Sequence, residues 1–95
     1  MSELEDLGRY HQLADAVRGK VNARDALLYR ASRVLAAAAE TAHTYRIGAV
    51  GRQCNFEAVE RLIEQAKTEH QALIVMIDEM NVLAPIVNKP GVRLD

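Results

Sequence analysis

The sequence predicts an all-α chain. Two long antiparallel helices form a hairpin, a short helix precedes them, and two hairpins dimerise into a four-helix bundle. Three observations lead there. The 95 residues are 49% hydrophobic and 26% charged, which is globular rather than disordered, and only 4% are aromatic. Alanine, the strongest helix former, is abundant, and cores of Ala, Leu, Val and Ile suit close-packed helices better than a β-sandwich. Apolar residues recur at spacings of three and four through two segments that contain neither Gly nor Pro. The length allows one domain, and a chain this short buries only about 60% of its unfolded surface.

The first element spans residues 1–19, with apolar positions at Leu4, Leu7, Leu13, Ala14, Ala16 and Val17. Gly8 weakens it by roughly 1 kcal/mol relative to Ala. Gly19-Lys20 is expected to end it. The result is a short helix or arm that needs a partner surface.

The second element is the first long helix, over 22–47. Asn22 is a strong N-cap, and Asp25 places a carboxylate in the first turn. Ala36, Ala37, Ala38 and Ala39 lie at its centre. Leu28, Ala31, Leu35, Ala38, Ala42, Tyr45 and Ala49 alternate by three and four and form a heptad seam. Gly48 and Gly51 then break the chain.

The third element is the second long helix, over 55–84. Asn55 caps it, Glu57 enters its first turn, and Pro85 ends it. Its seam is Phe56, Val59, Ile63, Ala66, His70, Leu73, Ile77, Met80 and Ala84, flanked by Leu62, Met76 and Leu83, with Ile74 on the other side. Pro90-Gly91 marks residues 85–95 as a loose tail. Each long helix is on the order of 40 Å at 1.5 Å per residue. A short connection makes such neighbours antiparallel. One hairpin leaves Ile74, Met76 and Leu83 too exposed, and a homodimer would cover them.

Chemistry is sparse. Cys54 is the sole cysteine, so no internal disulfide or cysteine-rich zinc site is available. It follows Arg52 and precedes a helix N-terminus, features that activate thiols. No His stands at a catalytic spacing from it, so a dispensable loop residue is the simpler reading. His11, His43 and His70 are not spaced as metal ligands. His70 falls on the seam, where a polar residue sets register. Gly48-Ala49-Val50-Gly51 lacks the Lys-Ser/Thr of a phosphate loop. Neither catalytic residues, a metal nor a cofactor is expected.

The formal net charge is −1, which gives no electrostatic footprint for direct nucleic-acid binding. Arg24, Arg30 and Arg33 form only a diffuse patch, on a helix too long for a helix-turn-helix module. The apolar run from Leu73 to Ile77 is too short to cross a membrane, and the acidic start Glu3-Leu4-Glu5-Asp6 is unlike a signal peptide. A cytoplasmic interaction protein is the expectation. The partner surface is expected at Tyr29, Arg30 and Arg33, with an apolar anchor of Val82, Ile86 and Val87.

Several words of the sequence are similar to a known family. Glu3-Leu4-Glu5-Asp6, Arg18-Gly19 and Thr44-Tyr45-Arg46-Ile47-Gly48 follow one another at similar spacing. Cys54 falls in the connection after them, and Ala72-Leu73, Ile77 and Pro85 follow in the last helix. Together they resemble the TraM antiactivators, which restrain TraR in the quorum sensing of rhizobial conjugative plasmids. The resemblance implies a dimerising helical hairpin that binds a LuxR-type transcription factor and keeps it from its promoter. The alternative reading of the residues is a small helical chaperone or a phage-type inhibitor that binds a different protein partner.

Overall fold

The structure is a computed structural model that describes residues 3–41 and 55–93. It contains two helices, α1 (Glu3–Thr41) and α2 (Phe56–Ile86), and no strand among the described residues. Arg9 pairs with Glu79 and Lys20 with Glu69, so the helices run antiparallel as a hairpin. The hairpin is 72 Å long and only 18 by 15 Å across. A rod two helices wide can bury just one stripe of each.

The expected break at Gly19-Lys20 is absent. A single helix of 39 residues replaces the short helix over 1–19 and the long helix starting at residue 22. Asn22 is an exposed residue of the helix interior, not a cap, and Asp25 pairs with Arg24 at 3.1 Å. Gly8 and Gly19 together cost roughly 2 kcal/mol in helix propensity. Tertiary contacts on both sides of Gly19 oppose that cost. Tyr10 and Leu13 are buried in a cluster with Met80 and Ala84, against which Val17 also packs. Beyond the glycine, Lys20 and Arg24 are tied to Glu69 and His70. The expected end of the first helix at residue 47 lies outside the described residues, as do Ala42, Tyr45 and Cys54.

The start of α2 agrees with its sequence. The Asn55 side chain accepts from the Ala58 amide at 3.1 Å, and Glu57 sits in the first turn. At the other end the helix runs through Pro85 to Ile86. Its last turn closes with the Val87 amide donating to the Leu83 carbonyl at 3.0 Å.

The tail is not loose. Asn88 takes a left-handed conformation, φ 54°, which Asn tolerates, and turns the chain back. Asn81 then clips Val92 at both backbone groups, at 2.7 and 3.0 Å. The Tyr10 hydroxyl donates to the Pro90 carbonyl at 2.9 Å. Gly91 allows this approach, because a Cβ there would lie 3.0 Å from Asn81 Oδ1. Val87 and Val92 pack on the Tyr10–Leu13–Met80–Ala84 cluster, so Val87 belongs to the core and not to a free anchor.

The seam on α2 is largely the expected one. Val59, Ala66, Leu73, Ile77, Met80 and Ala84 are buried, with Leu73 only 1% exposed. Leu62 is buried in place of Ile63, and Phe56 stands 63% exposed. Ile74, Met76 and Leu83 are half-buried within the single hairpin, Met76 and Leu83 against the Tyr10 cluster. The seam of α1 is turned from the expected one. Tyr10, Leu13 and Ala31 are buried, and Val17, Lys20, Arg24, Leu27, Val34 and Ala38 are half-buried. These nine residues alternate by three and four without a break. Ala31 and Ala38 belong to this row and to the expected one alike. Leu28 and Leu35 lie one residue off it and are 45% and 47% exposed. Continuity of α1 sets the difference, since Tyr10 and Leu13 carry their register forward through the helix.

Candidate partner-binding surfaces

Polar side chains occupy the middle of the seam. Glu69 Oε2 is buried there, 2.8 Å from Lys20 Nζ, an ionic contact rather than an aligned hydrogen bond. Arg24 Nη1 lies 3.1 Å from His70 Nδ1. A guanidinium only donates, so the ring nitrogen accepts. His70 is therefore half-buried and partnered by a hydrogen bond. Both pairs fix the register of the two helices, the role in which buried polar groups of helical pairs are best attested. Nearer the tail, Arg9 binds Glu79 through two bonds of 2.8 and 2.9 Å. The hydrogen bonds from Arg9 hold the Glu79 carboxyl below the usual carboxylate range. The pair is solvent-exposed, and its stabilising effect is small.

Seven-residue rows flank the seam toward the connection. On α1 the row is Leu7, Ala14, Val21, Leu28 and Leu35; on α2 it is Phe56 and Ile63, whose continuation through His70, Ile77 and Ala84 enters the seam itself. In an antiparallel pair these rows border the same side of the seam, and the Lys20–Glu69 register sets Leu28 level with Ile63 and Leu35 level with Phe56. Ile63 is 40% exposed. Toward the connection the hairpin thus presents four large apolar side chains on one side. Exposed apolar residues grouped in this way mark interaction surfaces, whereas scattered ones do not.

The opposite side carries the arginines. Arg30 and Arg33 line an open cleft of about 500 Å³ together with Val34, Ala58, Arg61, Leu62 and Gln65. Tyr29 is exposed beside it, with the Arg33 guanidinium 5.9 Å from the ring centroid, a cation–π distance. Arg61 is absent from the sequence expectation. It joins Arg30 and Arg33 only because the antiparallel register brings the first turns of α2 against the last turns of α1. Val82 and Ile86 are exposed, with Val75 one heptad before Val82. They do not join the arginines, because Arg61 and Val82 are about 30 Å apart along α2. The expected surface therefore divides into two separate places.

Among the described residues, no three His, Cys, Asp or Glu side chains converge as a metal site, and no helix is long and apolar enough to cross a membrane. No family model matches the chain, and neither characterised proteins nor solved structures match it significantly.

Proposed function

We propose that this chain is a TraM-like antiactivator: a dimeric helical hairpin that binds a LuxR-type transcriptional activator in the cytoplasm and blocks its DNA binding, so restraining plasmid conjugal transfer. The resemblance of its sequence words to the TraM family supports the choice of partner. The observation that carries the reading of a binding protein is the uncovered apolar row of Leu28, Leu35, Phe56 and Ile63 on a hairpin with no second layer. Pairing two such rows makes a four-helix bundle and buries these side chains, each worth about 1.5–3 kcal/mol when fully buried. The row and the arginine cleft border opposite sides of the seam. A dimer built on the row leaves both clefts open to the activator.

Two measurements test this. Light scattering is expected to give the mass of two chains, and Leu28→Glu with Ile63→Glu to give one. A well-folded wild-type monomer at micromolar concentration would reject the dimer. In a promoter gel shift, excess protein is expected to remove the band formed by the purified activator. Survival of that band in molar excess, or a shift by this protein alone, rejects the antiactivator.

A further inference from the structure

We infer that the cleft between the last turns of α1 and the first turns of α2 takes an acidic amphipathic segment of a protein partner. Carboxylates of that segment engage Arg30, Arg33 and Arg61, and one apolar side chain enters over Val34, Ala58 and Leu62. The inference rests on the reading of this chain as a protein-binding module and adds the chemistry of what it binds.

The charge pattern is the first support. Four cations of the hairpin meet carboxylates, Arg9 with Glu79, Lys20 with Glu69, Arg24 with Asp25 and Lys67 with Glu64, while Arg18, Lys89 and Arg93 form no ion pair among the described residues. Among the described residues, Arg30, Arg33 and Arg61 form no ion pair and no acidic residue lines their cleft. Three guanidinium groups thus face one space on a chain whose net charge is −1. Planar guanidinium forks match carboxylates in a bidentate way.

The floor is the second support. It is apolar, and Ala58 keeps it deep, since a longer side chain there would rise into the cleft. A ligand with carboxylates alone would leave that floor unused, and an amphipathic helix would cover it.

The rim selects against polyphosphate. Glu57, Glu60 and Glu64 line the neighbouring hollow on the far side of Arg61. They repel any anion near Arg61, and the penalty grows with the length of anion that continues past the cleft, so a short cluster of carboxylates is disfavoured less than a nucleic-acid backbone.

The test is fluorescence anisotropy of the full chain with a labelled amphipathic peptide of Glu, Leu and Ala. A peptide with Gln in place of Glu and a labelled single-stranded oligonucleotide are the comparison probes. The Glu peptide is expected to bind, and the Gln peptide to bind about tenfold more weakly. Arg30→Gln with Arg61→Gln is expected to cost about tenfold for the Glu peptide. Ala58→Leu keeps all the charges and a good helix former, and is expected to cost a similar factor by filling the floor. Helicity and mass should be those of the wild type in each variant. Equal affinity for the Glu and Gln peptides, unchanged binding by the variants, or tighter binding of the oligonucleotide would overturn the inference. Failure of the peptide with the activator still blocked in the gel shift removes the cleft and leaves the antiactivator. Peptide binding that depends on the arginines, with the activator unaffected, keeps the cleft and removes the antiactivator.

Discussion

Gly19→Ala separates a continuous α1 from a chain that bends at Gly19. Gly19 lies in the helix interior, exposed, and the space that a Cβ would occupy has no atom within 4 Å. Alanine there meets no steric penalty and gains helix propensity, roughly 1 kcal/mol. For a domain of this size 1 kcal/mol moves Tm by about 4–8 °C. Gly8 is the same case, with nothing within 4 Å of its Cβ position. The two glycines are separated by about 16 Å along the helix, beyond the range at which substitutions couple. The double variant should therefore gain about 2 kcal/mol, or about 8–16 °C. The assay is thermal melting followed by helical circular dichroism at one protomer concentration, because association shifts Tm by mass action. If Gly19→Ala lowers Tm while Gly8→Ala raises it, Gly19 occupies a turn that alanine strains, and the continuous helix is refuted.

Three further outcomes are expected. Leu73→Ala should cost about 2–5 kcal/mol, because Leu73 is fully enclosed, while Val75→Ala on the exposed side stays within about 0.5 kcal/mol; equal costs in urea melts would place the seam elsewhere. Asn81→Ala should release the tail, so that the Val92 amide exchanges far faster with hydrogen while the amides of the α2 interior do not; an unchanged Val92 rate would show that the clip is idle. The bond to Arg9 lowers the folded Glu79 pKa below 4.5, so its contribution is complete above about that pH and disappears as pH falls through the lower folded value. A carbon NMR titration should show that low midpoint, with Arg9→Gln returning it to about 4.5; a wild-type midpoint at or above 4.5 would dismiss the pair.

Much of the architecture is legible in single residues. Asn55 caps Ala58 as its position before an apolar run implies, and the seam from Val59 to Ala84 follows its heptad spacing almost throughout. The N-terminal third misleads because its signals are local. Gly19, Lys20 and Asn22 form a plausible helix end and start when taken by themselves. Propensity costs of roughly 1 kcal/mol are readily outweighed by long-range packing, and here Tyr10, Leu13, Lys20 and Arg24 supply it. Pro90-Gly91 misleads in the same way, since the bonds that hold this stretch, from the Tyr10 hydroxyl to Pro90 and between Asn81 and Val92, join residues that are not neighbours in sequence.

By itself the sequence determined that the chain is helical and, from Ala66 to Ala84, which face of α2 is buried, because apolar residues recur there at spacings of three and four; before Ala66 the flanking Leu62 is buried in place of Ile63. Only the tertiary structure decided which side of α1 faces α2. Two ladders share Ala31 and Ala38, one completed by Leu28 and Leu35 and the other by Leu27 and Val34. They differ by the one methylene that separates Leu35 from Val34, worth about 0.8 kcal/mol. The hydrophobic effect is non-directional, so burial by itself leaves the two nearly equal and leans slightly to the wrong one. The choice follows from Tyr10 and Leu13 far along the same helix and from the ties of Lys20 and Arg24 to Glu69 and His70. That choice leaves Leu28 and Leu35 outside, and the same register brings Arg61 to Arg30 and Arg33, a meeting that the spacing along either helix does not contain.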